Sequence, residues 1–149
     1  MVNFTHLHVH SHYSVLDGMS KVPDLVNKAM KNGMMALALT DHGNMYGIKD
    51  FFDTVKKVNE KINDKIEEQN TILNNKELPD EAKAEAQKVI DELTKQLFKP
   101  IIGIEAYCAR RTLHDKDKDY REPSPETGKM KIVDSSGYHL LLLAKNKKG

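Results

Sequence analysis

The sequence predicts an α/β fold with a mostly parallel sheet or barrel, and three observations lead there. Short continuous apolar runs at 35–40, 100–107 and 138–144 have the pattern of strands buried on both faces. Helical periodicity lies between the first two of these runs. Each run also carries, at its end or within it, a side chain able to ligate a metal; in parallel α/β folds such groups gather at the carboxyl ends of strands.

Taken in order, residues 2–9 read as a strand. It runs into Phe4-Thr5-His6-Leu7-His8-Val9-His10-Ser11-His12, which holds four of the seven histidines. On a regular strand alternate residues share a face, so positions 6, 8, 10 and 12 would lie together and Leu7 and Val9 opposite. Residues two apart rise about 6.5–7 Å, which lets neighbouring imidazoles converge on one ion. Ser11 to Gly18 reads as a loop. Residues 22–32 read as a helix with Leu25, Val26, Ala29 and Met30 on one face. Pro23 is tolerated in its first turn, and Gly33 stops it.

The apolar run at 35–40 ends in the polar turn Asp41-His42-Gly43-Asn44. Ile48, Phe51, Phe52, Val55 and Val58 then mark a second amphipathic helix. From 60 to 98 the chain is dominated by Lys, Glu, Asp, Asn and Gln. It reads as two long exposed helices joined near 74–79, a helical-hairpin insertion with a solvated face. A third strand spans 100–107 and contains Glu105. Residues 110–136 are polar and read as a long loop, with His114 at the surface. A fourth strand, 138–144, contains His139.

The 149 residues are enough for one domain with a core. Lys+Arg at 23 against Asp+Glu at 22 makes no electrostatic case for or against nucleic acid. A single cysteine, Cys108, excludes an internal disulfide framework and a cysteine-based zinc knuckle. No signal peptide or membrane-length apolar run is visible, so a cytoplasmic, soluble protein is expected.

Any one of these polar residues has an ordinary explanation; the repetition does not. An unpaired charge in a core costs several kcal/mol, whereas a metal cluster neutralises its carboxylates together. The expected ligands are His8, His10, Asp17, His42, Glu105 and His139, with Glu105 sharing its two oxygens between ions. Asp41 is expected to orient His42 from outside the ligand set, with His6 and His12 in similar outer roles. Mixed imidazole and carboxylate donors suit Zn²⁺, Mn²⁺ or Fe. Clusters of two or three such ions activate water and stabilise phosphoryl oxygens, so the generic chemistry is phosphoester hydrolysis.

His8-Val9-His10-Ser11 and Thr40-Asp41-His42 resemble the first two motifs of the PHP (polymerase and histidinol phosphatase) superfamily. The longer blocks 4–18, 38–47, 99–107 and 137–144 are similar to the amino terminus of the bacterial DNA polymerase III alpha-subunit family. This resemblance implies a seven-stranded PHP-type (β/α)7 barrel, here incomplete. It implies a divalent metal cluster of up to three ions in a complete domain, and Mg²⁺ at a separate polymerase site. It further implies a parent that synthesises DNA on a template alongside other replicase subunits, and 3′–5′ exonuclease or pyrophosphatase activity at the PHP site. With the insertion set aside, about 110 residues remain against about 250 for an eight-stranded barrel. The chain therefore reads as the N-terminal portion of the domain, lacking the later motifs and the polymerase domains, inactive alone and prone to self-association through open edges. Two other readings stand beside it: a free-standing phosphatase acting on histidinol phosphate or nucleotides, and a docking module whose metal only fixes the fold.

Overall fold

The computed structural model describes residues 4–109, 112, 114, 120–132 and 138–148. Helix α1 (Val22–Lys31) holds Pro in its first turn and buries Val22, Val26 and Ala29. Strand β1 (Ala36–Leu39) follows, with Leu37, Ala38 and Leu39 buried. Helices α2 (Ile48–Asn74) and α3 (Asp80–Gln96) form the hairpin, and β2 (Lys99–Cys108) returns the chain beside β1. The core is α1 and the first turns of α2 packed on β1, with Met34 and Phe98 closing it.

The hairpin differs from expectation in one respect. The predicted helix over 48–58 and the first helix of the insertion are a single 27-residue α2. No glycine or proline stands between Val58 and Asn74 to break it. Asn59, buried on α2, fixes where the hairpin ends. Its Nδ2 donates to Phe98 O at 2.8 Å, and Phe98 N donates back to its Oδ1 at 3.0 Å. The backbone just before β2 is thereby pinned to α2, and β2 enters parallel to β1 with Ala36 opposite Lys99 and Leu39 opposite Ile102.

Strand β5 (Tyr138–Leu143) pairs with β2 antiparallel, which corrects the expectation of mostly parallel strands. The sheet order is β1-β2-β5. A parallel return needs a crossover of a dozen or more residues, usually a helix. The described part of 110–136 instead holds a small antiparallel hairpin, β3 (Arg121–Pro123) and β4 (Met130–Ile132), where a plain loop was expected. All six residues of β5 are exposed, so it is not the doubly buried strand its leucines predict. Residues 110, 111, 113, 115–119 and 133–136 of the predicted loop lie outside the described residues.

The amino-terminal strand is the other correction. Residues 2 and 3 lie outside the described residues, and 4–10 run beside β1 with a bend at Leu7 and no regular ladder. Ala38 N donates to His6 O and Thr40 N to Val9 O, each at 2.9 Å. Two residues of β1 thus span three of the partner, the spacing of a bulge. Val9 N turns to Thr40 Oγ1 at 2.9 Å. The additional residue breaks the alternation that would have put four imidazoles on one face.

Candidate metal centre

Three elements bring the site together. The register of β1 with β2 continues past Leu39, so that His42 bridges Glu105 as a parallel pair. On the other side of β2, His139 lies opposite Tyr107, two residues along from Glu105 and on the same face. The segment 4–10 delivers His8 and His10, and the turn after it delivers Asp17. His42 lies beyond the carboxyl end of β1 and Glu105 within the second half of β2, whereas His139 comes from the start of β5 because β5 runs the other way.

Glu105 is at the centre. Its Oε2 lies 3.1 Å from His8 Nε2 and 2.6 Å from His10 Nε2, and its Oε1 lies 2.9 Å from His139 Nδ1. Asp17 Oδ2 faces His10 Nδ1 at 2.6 Å and His42 Nδ1 at 2.9 Å. His8 Nε2 and His10 Nε2 stand 3.2 Å apart. All six residues expected as ligands are joined in this one network. His10, Asp17, His42 and Glu105 offer donor atoms within 4.8 Å of one another and could hold a metal ion.

The donor set fits such an ion. Ligands at about 2.0–2.2 Å in a tetrahedron stand about 3.3–3.6 Å apart; the His8–His10 and His8–Glu105 separations come within a few tenths of that, while His10–Glu105 and His10–Asp17, each 2.6 Å, are hydrogen-bond distances that must open to admit an ion. Two carboxylates beside four imidazoles make a mixed oxygen and nitrogen donor set of the kind Zn²⁺, Mn²⁺ or Fe takes. His42 Nε2 is buried and has no hydrogen-bond partner among the described residues, an imidazole nitrogen left free for a ligand. Hydrogen bonding to His42 draws the Asp17 carboxyl below its ordinary range. Burial raises that of Glu105, but hydrogen bonds and charge from His8 and His10 outweigh it, and the net direction is down.

The outer residues behave differently from expectation. Asp41 does not hydrogen-bond to the His42 ring. Its Oδ1 accepts from Ser11 N at 2.7 Å, Ser11 Oγ at 2.9 Å and Ser14 Oγ at 2.8 Å. Ser14 Oγ in turn accepts from His42 N at 2.9 Å. The buried carboxylate therefore clamps the 11–17 turn to the end of β1, holding His10, Asp17 and His42 as one unit. Gly47 leaves room for it: a Cβ there would stand 2.5 Å from Asp41 Oδ2.

His6 falls on the far side of the bulge. With Val9, Leu25, Ala29 and Leu37 it lines a cavity of about 280 Å³ against α1, its ring edge-on to Phe4. His12 is exposed and stacks on Tyr13 at 4.3 Å. Neither takes the outer role expected of it. Ser11 and Ser14 were not singled out from the sequence, since isolated serines in a loop carry no distinguishing pattern; their offsets of 3 and 6 before Asp17 gain meaning only once the turn is seen. Tyr107 was also missed as a site residue. Its ring lies 5.1 Å from that of His42 and 5.3 Å from that of His139.

A family model described as PHP domain matches residues 6–149. Curated relatives include the DNA polymerase III subunit alpha of Borreliella burgdorferi, 36% identical over 98% of this chain and 8% of the relative. The protein of the same name from Chlamydia pneumoniae is 34% identical over 96% of this chain and 8% of its own length. That from Aquifex aeolicus is 30% identical over 99% and 9%. The chain thus spans less than a tenth of the length of these relatives. No helix among the described residues is long and apolar enough to cross a membrane.

Proposed function

We propose, given that the chain belongs to the PHP domain family, that its histidine and carboxylate cluster is a divalent-metal phosphoesterase centre acting on the 3′ end of a nucleic acid strand. The observation that carries this reading is the convergence on Glu105 of side chains from separate segments, with a second carboxylate, Asp17, tying His10 to His42. Likeness to relatives named DNA polymerase III subunit alpha supports DNA as the substrate. On that reading the domain is the amino-terminal part of a (β/α)7 PHP barrel in a template-directed polymerase, with DNA and other replicase subunits as partners.

A bound cluster of Zn²⁺, Mn²⁺ or Fe supplies water acidified toward neutral pH and positive charge beside the phosphoryl oxygens. His8, His10, Asp17, His42, Glu105 and His139 would hold it. The two Glu105 oxygens already face different imidazoles, so one carboxylate serves both halves of the site. Asp41, Ser11 and Ser14 keep the 11–17 turn in place while the donor atoms carry load. In the 3′–5′ exonuclease reaction a water oxygen bonds to phosphorus and the bond from phosphorus to the 3′ oxygen breaks. The displaced oxygen takes a proton from solvent, which reaches the cluster on its open side at His8 and His139, 51% and 41% exposed.

Hydrolysis of a 3′-mismatched primer by the complete domain, with added Mn²⁺ or Zn²⁺, tests this reading. Release of mononucleotides that a His8→Ala/His10→Ala variant loses is the expected result. Hydrolysis retained by that variant refutes the assignment, and release of phosphate from pyrophosphate alone redirects it to pyrophosphatase chemistry.

A further inference from the structure

Resting on the phosphoester reading above, the geometry points to Tyr107 as the specificity residue of the site: a platform on which the base of a nucleotide stacks while its phosphoryl group meets the cluster. Tyr107 stands on the same face of β2 as Glu105 and opposite His139. Its ring is tilted 36° to that of His42 and nearly perpendicular to that of His139. Yet the residue is 54% exposed, so much of an aromatic surface is left in water within one ring's breadth of the proposed ligands.

The place is built for an aromatic ring. Gly43 has φ +67°, and a Cβ on it would stand 2.8 Å from Tyr107 Cε2. Any larger residue after His42 would push the ring off its seat. The absence of a side chain at 43 thus serves two needs, the left-handed turn and the close approach of the phenol.

What surrounds the cluster decides the ligand class. Among the described residues the groups paired with Asp17 and Glu105 are all imidazoles; no lysine or arginine pairs with either. Beside the phosphoryl group, the described surface next to the cluster that is left in water is apolar and π surface, and recognition can draw on it. Val15 and Leu16, 80% and 103% exposed, precede Asp17 and add apolar surface to the turn that carries it. Every nucleobase has a π face, and stacking on an exposed ring is tolerant of sequence. An unpaired terminal nucleotide offers that face; a base held in a duplex does not.

The test is equilibrium binding of thymidine 5′-monophosphate and of inorganic phosphate to the Zn²⁺-loaded protein, with metal content and circular dichroism recorded for each variant. The wild type is expected to bind the nucleotide about 10-fold or more tighter than phosphate. Tyr107→Phe should keep that preference. Tyr107→Leu should bind the nucleotide no better than phosphate, with phosphate affinity and metal content unchanged. Phosphate binding without nucleotide preference in the wild type overturns the inference and leaves the phosphoester reading standing. Equal weakening of both ligands in Tyr107→Leu, or loss of metal or fold, makes Tyr107 a support of the cluster and also overturns it. Failure of the loaded wild type to bind phosphate removes the phosphoester reading and this inference with it.

Discussion

Glu105 shows how a single residue can be out of place in its strand and in place in its site. Within an otherwise apolar strand its carboxylate is 8% exposed, and imidazoles face both oxygens. Glu105→Gln puts an amide donor where one oxygen accepts. It should weaken divalent-metal affinity by at least the 10- to 100-fold that loss of an outer partner costs, as read by competition with a chelator. The lowered carboxyls of Asp17 and Glu105 set a pH dependence in the metal-free protein. Their ionised forms are favoured in the folded state, so their contribution is complete above the ordinary carboxylate range. It is lost as pH falls through the lower folded values. Denaturant midpoints should therefore drop below about pH 4, and Asp17→Asn/Glu105→Gln should flatten that drop. Leu16, just before Asp17, has φ +68° and a fully exposed side chain. Leu16→Gly should leave stability unchanged or raise it by up to about 1 kcal/mol. A larger loss in urea unfolding would mean the side chain is used in the free protein.

At the scale of elements, the sheet register and the clamps around it place the ligands. The buried Asn59 pins the backbone before β2 to α2 through two hydrogen bonds. Asn59→Ala leaves a buried N–H and a buried carbonyl unpaired and should cost about 2–4 kcal/mol in denaturant unfolding. A loss under 1 kcal/mol would show that β2 finds its register without it. The elements themselves were largely legible. Leucine and alanine runs marked β1, Leu25, Val26, Ala29 and Met30 at helical spacing marked α1, and Ile101, Ile102 and Ile104 marked β2. What was not legible needed long-range information. The direction of β5 depends on the route its connection takes, and the bulge at 6–9 depends on hydrogen bonds to β1, neither of which leaves a local signal. His6 was misplaced by the bulge, and His12 falls in the turn that starts at Ser11 and stands against Tyr13, while His8 and His10 stand with the other expected ligands.

For the whole molecule, the open side of the sheet matters most. Leu140, Leu141, Leu142 and Leu143 are all partly exposed, and β5 is an edge strand among the described residues. Unpaired backbone groups beside apolar side chains favour association. The 149-residue chain on its own should therefore scatter light with a mass above its 16.9 kDa, and Leu140→Lys/Leu142→Lys should return it toward monomer. A monodisperse wild-type monomer would contradict this. The six expected ligands converged although the strand directions were partly wrong, because each lies at a point where its segment reaches the same rim. The Asp41 role went astray because a carboxylate beside a histidine in sequence need not touch its ring.

The central claim is that His8, His10, Asp17, His42, Glu105 and His139 bind divalent metal as a group. Crystals of the protein grown with Zn²⁺ or Mn²⁺, measured on both sides of the metal's absorption edge, address it directly. The account predicts anomalous density at coordination distance from Glu105 and at least two of the four imidazoles. Crystals that show the metal only on surface side chains, with nothing between Glu105 and His10, would contradict it.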